Sequence, residues 1–76
     1  KLDDIVYIEH MIPHHQVAVD MSKMLIKNTK SDIMLFLAYR IIKSQQDEII
    51  MLNDYLKSLK NNKDFVYHSE LLLTYI

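Results

Sequence analysis

The chain has 76 residues, of which 50% are hydrophobic, and a formal net charge of −1. A single domain of this length builds only a marginal core, so the high apolar content indicates a partner subunit or additional chain. The sequence has no basic patch, no apolar run long enough to cross a bilayer and no cysteine, which argues against nucleic-acid binding, direct membrane insertion, disulfides and thiolate metal sites.

The composition predicts an all-α protein, because the chain has no glycine and abundant Leu, Ile, Met, Lys and Glu. Residues 1–76 are expected to form a single helical domain. Its first helix is predicted over about residues 4–28, with Asp3 or Asp4 as its cap. One broad apolar face of this helix contains Val6, Tyr7, Met11, Val17, Ala18, Met21, Met24 and Leu25. A second apolar stripe beside it contains Ile5, Ile8, Ile12, Val19 and Ile26.

The segment from His10 to His15 holds three of the four histidines and the only proline. On the helical wheel, His10 and His14 fall inside the broad apolar face, while His15 lies at its edge. Pro13 is expected to kink the helix, because its ring clashes with the carbonyl of Glu9 and removes a backbone hydrogen bond. The alternative is a helix that begins near Ile12, with Pro13 in its first turn.

A second helix is predicted over about residues 32–60, after a short polar connection in which Ser31 or Asp32 is the cap. Gln45 and Glu48 interrupt its main apolar face, which contains Met34, Leu37, Ala38, Ile41, Ile42, Ile49, Leu52, Leu56 and Leu59. A short third helix is predicted over about residues 64–75, with Asp64 as its cap.

The short connection makes the first two helices antiparallel neighbours, so residues whose numbers sum to about 60 should lie at the same height. This register sets the His10–His15 segment opposite the two polar residues of the second helix. The predicted cluster is a metal site that contains His10, Met11, His14, His15, Gln45 and Glu48.

Imidazole nitrogen binds copper and zinc, and a thioether prefers Cu(I). We therefore expect copper as the metal, with zinc as the alternative, and His10, His14 and His15 as the main ligands. Met21, Met24 and Met34 are expected to fill the core. Met51 points away from the main apolar face of the second helix and is not expected to be a ligand. Because no nucleophile, phosphate-loop or zinc-protease motif is present, the predicted function is not enzymatic.

Two other interpretations remain open. The polar cluster could fix the register of a structural, oligomerising helical domain that binds no metal. The clustered histidines could also form a pH-responsive interface, which predicts dissociation near about pH 5–6 without metal.

Several motifs resemble the domain-of-unknown-function family 305. The resemblance spans about residues 3–56, and its motifs are Met11-Ile12-Pro13-His14-His15-Gln16, Ala18, Met21, Leu37-Ala38, Ile41-Ile42, Gln45-Gln46, Glu48-Ile49 and Tyr55-Leu56. The resemblance implies a ferritin-like helical bundle and links to copper binding and tolerance. It marks Met11, His14, His15, Met21, Gln45 and Glu48.

The chain also departs from this family. His10 and Leu52 stand where the family usually has methionine, Val17 where it has a small residue and Tyr55 where it has tryptophan. Relative to the family pattern, this chain has two thioethers fewer and one imidazole more. This difference favours a site that also accepts Cu(II) or Zn(II).

Many family members carry two such hairpins, whereas this sequence contains one. We therefore expect a homodimer or higher homo-oligomer that completes a four-helix bundle. Since the sequence begins at Lys1, we expect it to be cut from a longer chain. The resemblance allows that longer protein to be exported or membrane-anchored, and the localisation stays unknown.

Overall fold

The protein is an antiparallel hairpin of two long helices in the computed structural model, which describes residues 2–61. Helix α1 spans Asp4–Asn28 and helix α2 spans Asp32–Asn61. The all-α prediction and the predicted hairpin agree with this arrangement, and no strand occurs in the described range. The third helix predicted over residues 64–75 lies outside the described residues.

Helix α1 begins with a side-chain cap. The carboxylate of Asp3 accepts a hydrogen bond of 2.9 Å from the backbone N–H of Val6, one of the donors that lack a partner in a helix's first turn. Asp4 adds a negative charge near the positive end of the helix dipole. These two interactions explain why the helix starts at Asp4.

The substitution Asp3→Ala should lower the free energy of unfolding by about 1 kcal/mol, because alanine cannot accept the capping hydrogen bond. Urea denaturation followed by circular dichroism measures this loss. Asp32→Ala is the matched control, since Asp32 lies in the first turn of α2 and Ser31 supplies that helix's side-chain cap. An equal loss from both substitutions would contradict the assignment of the cap.

Pro13 lies inside α1, which continues through it from Asp4 to Asn28. The alternative start near Ile12 is therefore wrong. Proline has no backbone N–H, so the carbonyl of Glu9 loses its usual helical donor at this point. The kink expected there stays a prediction.

The turn between the helices closes with short-range hydrogen bonds. The N–H of Thr29 donates to the carbonyl of Leu25 over 2.8 Å and ends α1. The hydroxyl of Ser31 accepts from the N–H of Met34 over 3.3 Å, so Ser31 is the side-chain cap of α2.

The two helices pack along a seam with alternating spacings of three and four residues. The seam of α1 contains Ile5, Ile8, Ile12, His15, Val19, Ser22 and Ile26, and that of α2 contains Leu35, Ala38, Ile42, Gln45, Ile49, Leu52, Leu56 and Leu59, all of them buried or partly buried. This is the seven-residue repeat that keeps one stripe of each helix against its partner. The seam contains one fully buried large side chain among the described residues, Val19, which has 0% exposure.

The residues of the observed seam differ from the apolar faces predicted from the sequence. On α1 the broad apolar face does not face α2, because Tyr7, Met21 and Met24 are exposed. The narrower isoleucine stripe packs instead, together with His15. On α2 the seam includes Leu35, which was not part of the predicted face. Met34, Leu37 and Ile41, which were part of that face, are exposed.

Candidate functional site

His15 is the polar centre of the seam. It has 7% exposure, and its Nδ1–H donates a hydrogen bond of 2.8 Å to the carbonyl oxygen of Met11, one turn earlier. Its Nε2 lies 2.5 Å from Oε1 of Glu48 on the other helix. The short contact therefore joins the two helices near their midpoints.

The partners of His15 differ in what they can do. The Met11 carbonyl can only accept a hydrogen bond, so Nδ1 donates to it. Nε2 is left to contact Oε1 of Glu48 across the seam. Both ring nitrogens therefore have polar partners, which is compatible with burial of the ring beside isoleucine and leucine.

An open cleft of about 200 Å³ runs beside this pair and is lined by Tyr7, Met11, His15, Glu48, Met51 and Leu52. Two thioethers, one imidazole and one carboxylate therefore share a single depression between α1 and α2. The Glu48 side chain is 35% exposed, so it can change its position without opening the seam. These groups are suited to a soft or borderline metal ion.

His10 and His14 are both exposed, so the predicted inward orientation of these two rings is wrong. The Nδ1–H of His10 donates to the carbonyl of Val6 over 2.8 Å, within its own helix. The His14 ring lies edge-on to His15, with 6.4 Å between their centroids. His15, predicted at the edge, is the buried histidine, because the isoleucine stripe rather than the broad face packs on α2.

The residues of α2 that lie opposite the His10–His15 segment differ from the predicted ones by about one helical turn. The rule that residue numbers sum to about 60 paired His15 with Gln45 and Met11 with Glu48. In the structure, His15 contacts Glu48, and Lys60 donates to Glu9 over 3.1 Å farther along the hairpin. Gln45 is partly buried in the seam, one turn before Glu48. The turn is therefore not symmetric about Lys30.

Met51 is the cleft residue that the sequence interpretation missed. It was expected to point away because it lies outside the main apolar face of α2. Its spacing of three residues from Glu48 was the available signal, since residues at i and i+3 are neighbours on a helix. Leu52, at i+4 from Glu48, completes the same wall.

The described hairpin does not gather a metal-binding group of histidine and acidic side chains. No set of three or more His, Cys, Asp or Glu side chains converges within residues 2–61 in an arrangement that could hold a metal ion. His15 and Glu48 are two such side chains in contact across the seam.

Neither α1 nor α2 combines the length and apolar character that crossing a membrane requires.

Comparison with known proteins places the chain in a family. Residues 4–70 match the family described as "Domain of unknown function (DUF305)". The chain is also similar to "Uncharacterized protein L153" of Acanthamoeba polyphaga mimivirus, with 45% identity over 65 residues. That alignment covers 84% of this chain and 43% of the relative, so the chain spans less than half of the relative's length. No solved structure matches the chain. Because the family match covers most of its residues, the protein belongs to the DUF305 family.

Proposed function

We propose that this protein is a small, non-enzymatic metal-binding module that holds copper at the His15–Glu48 cleft, with zinc as the alternative ion. The observation that carries the proposal is the position of the His15 ring. Its Nδ1–H is fixed by the Met11 carbonyl, and its Nε2 is directed at a carboxylate. Histidines that bind metals commonly donate their other N–H to a carbonyl in this way.

The donors of the cleft support copper over harder ions. Met11 and Met51 line the cleft beside His15 and Glu48. Thioethers prefer Cu(I), imidazole suits both copper and zinc, and a single carboxylate is a poor site for Mg²⁺. In this proposal His15 and Glu48 are the primary ligands, the two methionines supply thioethers, and His10 has no role.

Thermal denaturation with and without metal tests the proposal. An ion that binds only the native state, at a free concentration of 100 times its Kd, should stabilise the protein by about 2.7 kcal/mol. We expect this stabilisation with Cu(I), supplied with a reductant, or with Zn(II). Mg(II) is the matched control and should leave the melting temperature unchanged. Equal melting temperatures with all three ions would contradict metal binding.

A specific observation also supports a second candidate function, a structural and oligomerising helical module. Both ring nitrogens of His15 already have partners within the chain, and no buried side-chain N or O atom of the described part lacks a hydrogen bond. A buried, hydrogen-bonded pair of this kind can fix the register of two helices without a ligand. This candidate predicts that Glu48→Ala lowers the melting temperature and that metals do not change it.

A further inference from the structure

One side of the hairpin presents an apolar surface that the two helices leave uncovered. We call it the methionine face; it contains Tyr7, Met11, Ala18, Met21 and Leu25 from α1, and Met34, Leu37, Ile41, Met51 and Tyr55 from α2. Together with His14 on α1 and with Ser44 and Glu48 on α2, these residues keep the spacing of three and four that marks a single stripe. The cleft joins Tyr7 and Met11 to Met51, so both stripes lie on the same side of the hairpin.

Charge distinguishes this side of the hairpin from the opposite flank of α1. On the methionine face, Tyr7, Met21, Met34, Leu37 and Ile41 are exposed. The opposite flank of α1 carries mostly polar or charged residues: Glu9, Gln16, Asp20, Lys23 and Lys27. Val17 and Met24 are exposed on the outer side of α1, away from both flanks. A largely apolar surface of this extent on a small protein usually marks an interface.

The amount of surface fits a dimer. Two helices of this length, packed side by side, present a footprint of about 750 Å², close to the roughly 800 Å² per partner of a stable interface.

The order of polar and apolar residues along the face favours a second copy as the partner. His14 on α1, and Ser44 and Glu48 on α2, interrupt the face near its middle, with apolar residues toward both ends. A two-fold axis perpendicular to the helices brings the middle of one face onto the middle of the other. An axis parallel to the helices also matches residues of equal height. Both arrangements bring the polar middle of one face close to the polar middle of the other.

Resting on the proposed function, we infer that two copies pack through their methionine faces and complete one shared metal site from the His15–Glu48 pairs of both chains. A single hairpin supplies two such donors. The dimer supplies four, together with the Met11 and Met51 thioethers of each chain. Four donors satisfy the usual coordination of zinc, which two donors from one chain do not.

The test compares two isoleucines on opposite sides of α2 in the full 76-residue chain. Ile41 belongs to the methionine face and is 41% exposed, while Ile50 is 48% exposed. Nine positions on one helix correspond to a rotation of about 180°, so Ile50 is the matched control. Ile41→Lys should raise the dimer Kd by about 100-fold, because it buries a lysine in the interface of each copy. Ile50→Lys should leave the Kd unchanged.

Sedimentation equilibrium without metal measures the dimer, and titration with Cu(I) or Zn(II) measures the stoichiometry. We expect one ion for two chains in the wild type and in Ile50→Lys, and much weaker binding in Ile41→Lys. Met21→Lys repeats the test from α1, with circular dichroism to establish that both variants stay helical. Wild-type chains that stay monomeric, or an Ile41→Lys variant that still dimerises, would overturn the inference.

The titration separates this inference from the proposed function. A monomer that binds one ion for each chain overturns the shared site and leaves the proposed function standing. A dimer that binds neither ion overturns the shared site together with the proposed function.

Discussion

His15→Ala should weaken the binding of Cu(I) or Zn(II) by about 100-fold or more, since it removes the imidazole that the Met11 carbonyl orients toward the cleft. His15 is buried, and its Nε2 lies 2.5 Å from Glu48. Without this ring the cleft retains a partly exposed carboxylate and two thioethers, which form a weak site. Competition with a chromophoric chelator measures the change in affinity.

His10→Ala is the matched control for this prediction. His10 is exposed, and its Nδ1–H donates to the carbonyl of Val6 in its own helix. We expect its removal to leave the metal affinity within about two-fold of the wild type, since His10 is not among the residues that line the cleft. This expectation reverses the sequence interpretation, in which His10 was a main ligand.

His15→Gln is a second variant that tests the same prediction if His15→Ala fails to fold. The amide of glutamine can still hydrogen-bond to Glu48, but it is a poorer ligand than imidazole for copper and zinc. Helical circular dichroism close to that of the wild type, combined with lost metal binding, would assign the loss to the ligand. Equal losses of affinity in His15→Ala and His10→Ala would refute the cleft as the site.

Val19→Ala should lower the free energy of unfolding by about 2–3 kcal/mol, because it removes two buried carbon atoms and leaves a cavity in the seam. Val19 is 0% exposed, whereas Val17, two residues earlier, is 56% exposed. For a domain this small, such a loss is a large part of the total stability. Chemical denaturation monitored by circular dichroism gives the value.

Val17→Ala provides the comparison at an exposed position of the same helix. Alanine has the higher helix propensity, so this substitution should change the free energy of unfolding by less than about 0.5 kcal/mol, or slightly stabilise the protein. The difference between the two alanine variants measures the packing of the seam. If Val17→Ala costs as much as Val19→Ala, the assignment of the isoleucine stripe to the seam is wrong.

The displaced register and the missed cleft residue have different causes. The sequence placed Met11, His15 and Glu48 in one cluster because each interrupts or adjoins an apolar stripe. Whether Glu48 meets His15 or a residue one turn away depends on the conformation of the turn, and a shift of three residues along α2 moves a side chain by only about 4.5 Å. Met51 was missed because it lies outside the predicted apolar face of α2, although it lines the cleft.

The sequence by itself determined the two helices, their antiparallel pairing and the family. Asp3 and Ser31 supply local caps, and an all-helical composition without glycine leaves few alternatives. Only the tertiary structure decided which side of α1 faces α2. This helix is apolar on two sides, and hydrophobicity favours the broader one. Packing on α2 selects instead the isoleucine stripe, although the methionine face shares its spacing of three and four residues and His15 interrupts it. His15 therefore became the buried histidine, and the broad face was left uncovered beside it.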